Sequence, residues 1–288
     1  MASLNIASPE ARSAIISKLS AERMRVGIAV ITYNRVETLI NCLKSIISFT
    51  SIGSDISCAV FDDGTDADLS SLLSPYSIGG PVFQSKSNCG VVFNKNRALY
   101  YFTEIEPVDI IVLLEDDVCV EAPGWINEWI DAAVRYGHMN YSPIWFRDGF
   151  HKKFWISSAD CKGTVSDPYL YSAVTGQCTS LRTELIRDGV GYLNPRFQGY
   201  GYGHVEWTCR FLAKGHGGIF EKEGQRAFYA INGGVGVQPS KTYKNPEELN
   251  QNATVYSDLM NLPQYELVSK PWLDGQEALF KEIYKVLN

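Results

Sequence analysis

The sequence predicts an α/β protein built on a doubly wound, mostly parallel sheet, and three observations predict it. Short apolar runs recur with no polar interruption, at Val26–Thr32, 56–61 and 109–114. Apolar residues at helical spacing fill the segments between them. Polar residues gather where each run stops, at Thr32, Asp62 and Glu115. Strands that are apolar throughout are buried on both faces, and alternation with helices makes such strands parallel.

Ser8-Pro9-Glu10 caps an amphipathic helix reaching about Arg23, so residues 1–24 form an N-terminal helical appendage. The first strand is followed by a helix carrying Val36, Leu39, Ile40, Leu43, Ile46 and Ile47. The second strand, 56–61, ends at Asp62-Asp63-Gly64-Thr65, and a short helix near 69–73 leads to a third strand at 81–84. Ala98, Leu99, Phe102 and Ile105 mark the next helix, which returns to the strand at 109–114. A helix over 123–136 then presents Ile126, Trp129, Ile130, Ala133 and Val134 on one face. These elements make 25–140 a Rossmann-like, nucleotide-binding half. Regularity fades in 141–288, which is expected to shape a pocket and to end in a helix at 274–286.

The 288 residues, 45% of them hydrophobic, suffice for one large α/β core. A net charge of −6 argues against a protein that coats nucleic acid, which needs a basic face. The seven cysteines are scattered singly without a Cys-x-x-Cys pair, as expected of reduced thiols in a cytoplasmic protein. No apolar run approaches the roughly 18 residues that span a bilayer. Neither terminal helix is basic enough to require a membrane surface, and peripheral contact with a membrane's inner face stays open.

Glu115-Asp116-Asp117, closing the strand at 109–114, is the most informative stretch. An isolated buried carboxylate costs several kcal/mol unless it is paired or bound to a cation. Parallel sheets bind ligands at their carboxyl edges. The placement therefore points to a Mg²⁺ or Mn²⁺ site and, through the metal, to a phosphate-bearing ligand. The alternative is a solvated acidic turn ahead of the helix that Pro123 opens. No G-x-G-x-x-G or Walker-type loop follows the first strand, which excludes the usual dinucleotide and P-loop sites.

Four segments in order carry a resemblance to a known family. They are Val26 to Arg35 with Leu39…Leu43-Lys44-Ser45-Ile46, Phe61-Asp62-Asp63-Gly64-Thr65, Asn88-Cys89-Gly90…Asn94-Lys95-Asn96-Arg97-Ala98-Leu99, and Glu115-Asp116-Asp117. Together they resemble GT-A glycosyltransferases, family 2 in particular, over residues 26–120. The third segment departs from the family pattern in the order of its final Arg and Asn. The resemblance implies that Thr32, Asn34 and Arg35 line the nucleotide and that Asp62 or Asp63 contacts the base. Asn88, Gly90 and Arg97 would lie near the ribose or the sugar. Asp117, with Glu115 or Asp116, would hold the metal on the diphosphate. Asn34 and Asp63-Gly64 also suit plain turns, Arg97 a surface helix position, and Asn94 and Lys95 a solvated one.

In the second half, Gly199-Tyr200-Gly201-Tyr202-Gly203-His204-Val205-Glu206-Trp207 opens a helix closed by Gly215. The family often carries an acid here that deprotonates the acceptor. Glu206 is the segment's only acid and so the candidate general base; His204 is its rival, as base or metal ligand. Glu206 is also spaced for an i,i+4 ion pair with Arg210. Trp145, Phe146, Phe154, Trp155, Tyr169, Tyr171, Tyr200 and Tyr202 suit either sugar faces or core packing. Thr175-Gly176-Gln177-Cys178 resembles the family's small-residue strand near the donor sugar, and Arg147, Lys152 and Lys153 suit a basic loop. The resemblance implies a metal-dependent, inverting transfer from a nucleotide-sugar donor, UDP-linked, to a glycan or glycolipid acceptor in bacterial surface-polysaccharide synthesis. A nucleic-acid or protein acceptor is also compatible. The rival readings are a sugar nucleotidyltransferase and a non-catalytic nucleotide- or carbohydrate-binding relative.

Overall fold

The structure, a computed structural model, describes residues 24–142, 153–220, 226–240, 245–262, 264–265 and 267–287. The helix expected before residue 24 lies outside the described residues, as do Trp145, Phe146, Arg147 and Lys152.

Strands β1 (Val26–Thr32), β2 (Ile56–Asp62), β3 (Val82–Gln84) and β4 (Ile110–Glu115) form the parallel half of the sheet, in the order β3-β2-β1-β4. Between them run helices α1 (Val36–Phe49), α2 (Leu69–Leu73) and α3 (Val91–Tyr100). Strands β1, β2 and β4 are buried on both faces over most of their length. Val26, Ile28 and Val30 of β1 pack with Leu39, Leu43 and Ile46 of α1, while Ala29 and Ile31 pack with Val92, Ala98 and Leu99 of α3. This two-sided burial is why the strands read as continuous apolar runs.

Register then fixes where the polar residues go. Thr32 pairs with Asp62 across β1–β2, and Ile31 with Glu115 across β1–β4. The strands end level, so their polar termini share one edge. From β4 the chain makes the Asp116-Asp117 turn into β5 (Val118–Val120), which pairs antiparallel with β11 (Val235–Val237) in a separate small sheet. Helix α4 (Trp125–Tyr136) begins after Gly124, slightly later than Pro123 suggested.

The second half continues the same sheet. Strand β8 (Cys178–Arg182) pairs antiparallel with β4, and β6 (His138–Tyr141) antiparallel with β8. Strand β10 (Arg226–Ile231) runs parallel to β6 and carries β7 (Tyr169–Tyr171) and β9 (Gly218–Phe220) antiparallel to itself. These strands are short and include polar residues, which hid them from a pattern search. Among the described residues the remaining α-helices are α5 (Glu184–Arg187), α6 (Gly203–Ala213), α7 (Pro246–Met260) and α8 (Glu277–Lys281). The expected C-terminal helix is split: α8 gives way to a 3-10 segment, Glu282–Leu287. No helix among the described residues is long and apolar enough to cross a membrane.

Candidate active site at the carboxyl edge of the sheet

Each acid of the 115–117 triple has its own partners. Asp116 is fully buried; Thr32 Oγ1 donates to its Oδ2 at 2.6 Å, and the Arg35 guanidinium meets it at 2.5 Å. Burial, against Arg35, still pushes its pKa up to about 7. Thr32 and Arg35 are thus engaged in fixing Asp116. Asp117 Oδ2 accepts from Ser240 Oγ at 2.9 Å, with Arg35 Nη1 at 3.5 Å, while its Oδ1 is buried without a partner. Burial and then Glu115 raise the Asp117 pKa. Glu115 Oε1 accepts from Lys95 Nζ at 2.7 Å, and the same ammonium donates to Gly176 O at 2.7 Å. Burial alone raises the Glu115 pKa, but Lys95 outweighs it and holds the carboxyl below its ordinary value.

Among the described residues no three His, Cys, Asp or Glu side chains converge to hold a metal by themselves. The donor set nevertheless suits a hard divalent ion that takes one or two carboxylates and completes its shell with phosphate and water. Asp117 Oδ1 is the observation that supports this fit, since a buried carboxylate oxygen with no donor calls for a cation.

Lys95 is the site residue that sequence reading misplaced. It is 2% exposed rather than solvated. Helical spacing carried the signal, because Lys95 lies three residues after Val92 and four before Leu99, on the buried face of α3. Arg97, expected near the ribose or sugar, points the other way. It is buried over the Phe93 ring at 4.7 Å and donates to Phe280 O at 3.2 Å and Leu279 O at 2.9 Å. It anchors the C-terminal helix and takes no part in the cleft. Asn94 and Asn96 are buried too, donating to Phe61 O at 2.8 Å and to Leu193 O and Pro271 O at 2.9 Å.

The β2 edge is spent on its own turns. Asp62 accepts from the backbone of Gly64 at 3.0 Å and Thr65 at 2.8 Å and from the Thr65 hydroxyl. Asp63 accepts from Cys89 N at 2.9 Å and Gly90 N at 2.7 Å, tying the β2 turn to the start of α3. Neither buried carboxylate is presented to a base. Asn34, by contrast, is exposed, at φ 52°, with its backbone N–H on Thr65 Oγ1 at 2.8 Å. Asn88 is exposed as well, its Oδ1 accepting from Gly90 N at 2.9 Å. Gly90 has φ 96°, and a Cβ there would lie 3.0 Å from Gly199 N, so this glycine lets the two loops touch.

Burial pushes the Asp63 pKa up to about 7. Between the unfolded carboxyl value of 3.8 and about 7, the folded chain therefore holds a proton that the unfolded chain has released. Stability falls as pH rises through that window. Without divalent metal, urea melts at pH 5 and pH 7.5 show the wild type losing stability, and Asp63→Asn losing less because only the shares of Asp62, Asp116 and Asp117 remain. Equal slopes in the two proteins contradict this assignment.

In α6, Glu206 is put to a different use from the one expected. It is 2% exposed; Arg210 donates to Oε1 at 2.8 Å and to Oε2 at 3.0 Å, and Arg210 itself donates onward to Val190 O and Tyr192 O. The i,i+4 pair forms, but in the core instead of on a solvated face. Both Glu206 oxygens are thus engaged by Arg210 inside the core. His204 lies at the site: a Cβ on Gly176 would sit 2.8 Å from Lys95 Nζ, 3.3 Å from Glu115 Oε1 and 3.5 Å from His204 Cβ. A side chain there would crowd the Lys95 ammonium and Glu115. Burial, Lys95 and His138 lower the His204 pKa well below 6.5, so the ring is neutral at pH 7, and its Nδ1 has no partner.

The glycine-tyrosine loop preceding α6 is pinned by α7. Asn252 Nδ2 donates to Gln198 O at 2.7 Å and Tyr200 O at 3.0 Å, and Glu248 Oε2 accepts from Tyr200 N at 3.2 Å. Asn252 is buried by this task. Tyr200 is 36% exposed, whereas Tyr202 packs on Tyr256 and Trp155, Tyr169 and Tyr171 pack on one another. Lys153 lies 5.1 Å from the Phe154 ring.

No protein-family model and no curated protein matches the chain. Solved structures do. GalNAc-T7 with UDP, GalNAc and Mn²⁺ superposes with a TM-score of 0.60 at 12% identity, over 82% of this chain and 48% of that one. The mannosyltransferase PcManGT from Pyrobaculum calidifontis, in complex with GDP-Man and Mn²⁺, gives 0.52 at 14% identity over 75% and 61%. S. aureus TarS 1–349 with UDP-GlcNAc gives 0.55 at 13% identity over 91% and 72%. The chain thus spans about half to three fifths of the length of the first two. At such identities the likeness establishes architecture: the chain has the GT-A fold that its motifs resemble.

Proposed function

We propose that this protein is a metal-dependent glycosyltransferase that moves a sugar from a nucleoside-diphosphate donor, a UDP-sugar, to an acceptor hydroxyl with inversion. The observation that carries the reading is the convergence of Glu115, Lys95, Gly176 and His204 beside the turn that holds the partnerless Asp117 oxygen. The metal- and nucleotide-sugar-bearing neighbours support it. Glu115 and Asp117 would hold Mn²⁺ or Mg²⁺, which supplies positive charge to the departing diphosphate. Lys95 orients Glu115 through their ion pair and holds the Gly176 carbonyl. The exposed Asn34 and Asn88 offer amides to the nucleotide. Neutral His204 takes the acceptor's proton at Nδ1; with no third ligand converging on the acids among the described residues, it serves as base rather than metal ligand. The acceptor is a glycan or glycolipid, as in surface-polysaccharide synthesis.

Calorimetry with UDP, with and without Mn²⁺, tests the donor side. Wild type binds UDP in a Mn²⁺-dependent way. Asp117→Asn, which keeps shape and loses charge, binds at least about tenfold more weakly and turns over a UDP-sugar about 10²–10³-fold more slowly. No UDP binding in either condition, or undiminished binding by the variant, sinks the reading. Metal-dependent binding with no turnover of any nucleotide sugar favours the non-catalytic relative.

A further inference from the structure

Next to His204 lies a closed set of polar side chains whose hydrogens can be assigned one by one. Thr179 Oγ1 donates to Met139 O at 2.7 Å, so toward His138 Nδ1, at 3.4 Å, it can only accept. His138 is pushed down to about 3 by burial and is neutral, so its Nε2 is bare and accepts from Thr208 Oγ1 at 3.2 Å. Asn140, buried between β6 and β10, donates from Nδ2 to Tyr229 O at 3.3 Å. A carbonyl only accepts, so this contact fixes which way the amide points and turns Oδ1 toward His204. His204 Nε2 lies 3.0 Å from that oxygen and must therefore carry the ring's hydrogen. Thr208 Oγ1 stands 3.5 Å from the same oxygen but has given its one hydrogen to His138 Nε2, so His204 is the donor that Oδ1 takes. A neutral ring protonated at Nε2 has its lone pair at Nδ1, the nitrogen without a partner.

We infer that Asn140 is a positioning residue: its side-chain carbonyl, oriented by the main chain of β10, holds His204 in the Nε2–H tautomer and leaves Nδ1 as the proton acceptor. This rests on the reading of His204 as the base. A bare buried acceptor costs about 1–3 kcal/mol, and a substrate hydroxyl that donates to Nδ1 removes that cost. Asn140 thus prepares the ring before the acceptor arrives, the role that an orienting group plays behind any histidine base.

The test uses the whole chain with ¹⁵N-labelled histidine, the His204 signals being assigned by their loss in His204→Gln. Wild type is expected to show one slowly exchanging proton on Nε2 and an unprotonated Nδ1. Asn140→Leu, which removes the acceptor, is expected to lose or shift that resonance and to lower kcat about tenfold or more with the donor KM unchanged. Survival of either the resonance or the full kcat in the variant overturns the inference. Should the variant not fold, the wild-type spectrum decides alone, because a proton on Nδ1 overturns it. The two failures are distinguishable. An Nε2–H spectrum in a protein without transfer activity removes the catalytic reading and not the positioning, whereas Nδ1–H in an active enzyme does the reverse.

Discussion

His204→Ala lowers transfer by about 10²–10⁴-fold, the usual contribution of a positioned general base, and leaves Mn²⁺-dependent UDP binding at its wild-type strength. The acceptor hydroxyl is a poor nucleophile until its proton has somewhere to go, and Nδ1 of His204 is the neutral, unshared nitrogen at this edge. The donor contacts belong to other elements, so loss of the imidazole affects kcat and spares nucleotide affinity. Because burial and Lys95 hold the ring's pKa below 6.5, the acid limb of the activity profile lies below pH 6.5 as well. Transfer assays paired with calorimetry check both statements. Wild-type kcat in the variant removes His204 from the chemistry; loss of UDP binding assigns it to the donor site.

Glu206→Ala is expected to fail by unfolding. Removing one partner of a buried ion pair leaves the other charge without compensation and costs about 3–5 kcal/mol. Arg210 is the charge left behind, 2% exposed, and its remaining bonds reach Val190 O and Tyr192 O. The same segment receives Trp207 Nε1 on Gly191 O at 2.9 Å, so α6 and residues 190–192 loosen together. Denaturant melts read this directly. The contrast with His204 is the informative part: destabilised Glu206→Ala that retains kcat in its folded fraction agrees with the structure. Unchanged stability with a hundredfold loss of kcat returns Glu206 to the role of base.

The motif residues lie along one edge of the sheet, and the fold itself engages several of their side chains. Asp62 and Asp63 stand where a base contact is expected, yet their oxygens are filled by Gly64, Thr65, Cys89 and Gly90 backbone. Of the four polar residues Asn94 to Arg97, only Lys95 reaches the cleft; its helical phase marked it as inward-facing, but phase does not tell core from cleft. Glu206 and Arg210 are adjacent on one helix turn, so their pairing was legible. Its burial was not, because that depends on residues 190–192 packing over α6.

The sequence by itself determined the parallel strands, the helices between them and the edge at which Thr32, Asp62 and Glu115 end, because apolar periodicity is local and parallel register brings strand ends level. Only the tertiary structure decided which polar groups are spent on the fold and which face the cleft. Arg35 meets Asp116 across 81 residues, and Ser240 meets Asp117 across 123. A carboxylate's or imidazole's freedom depends on the nearest donor in space, and short-range sequence pattern does not carry that distance.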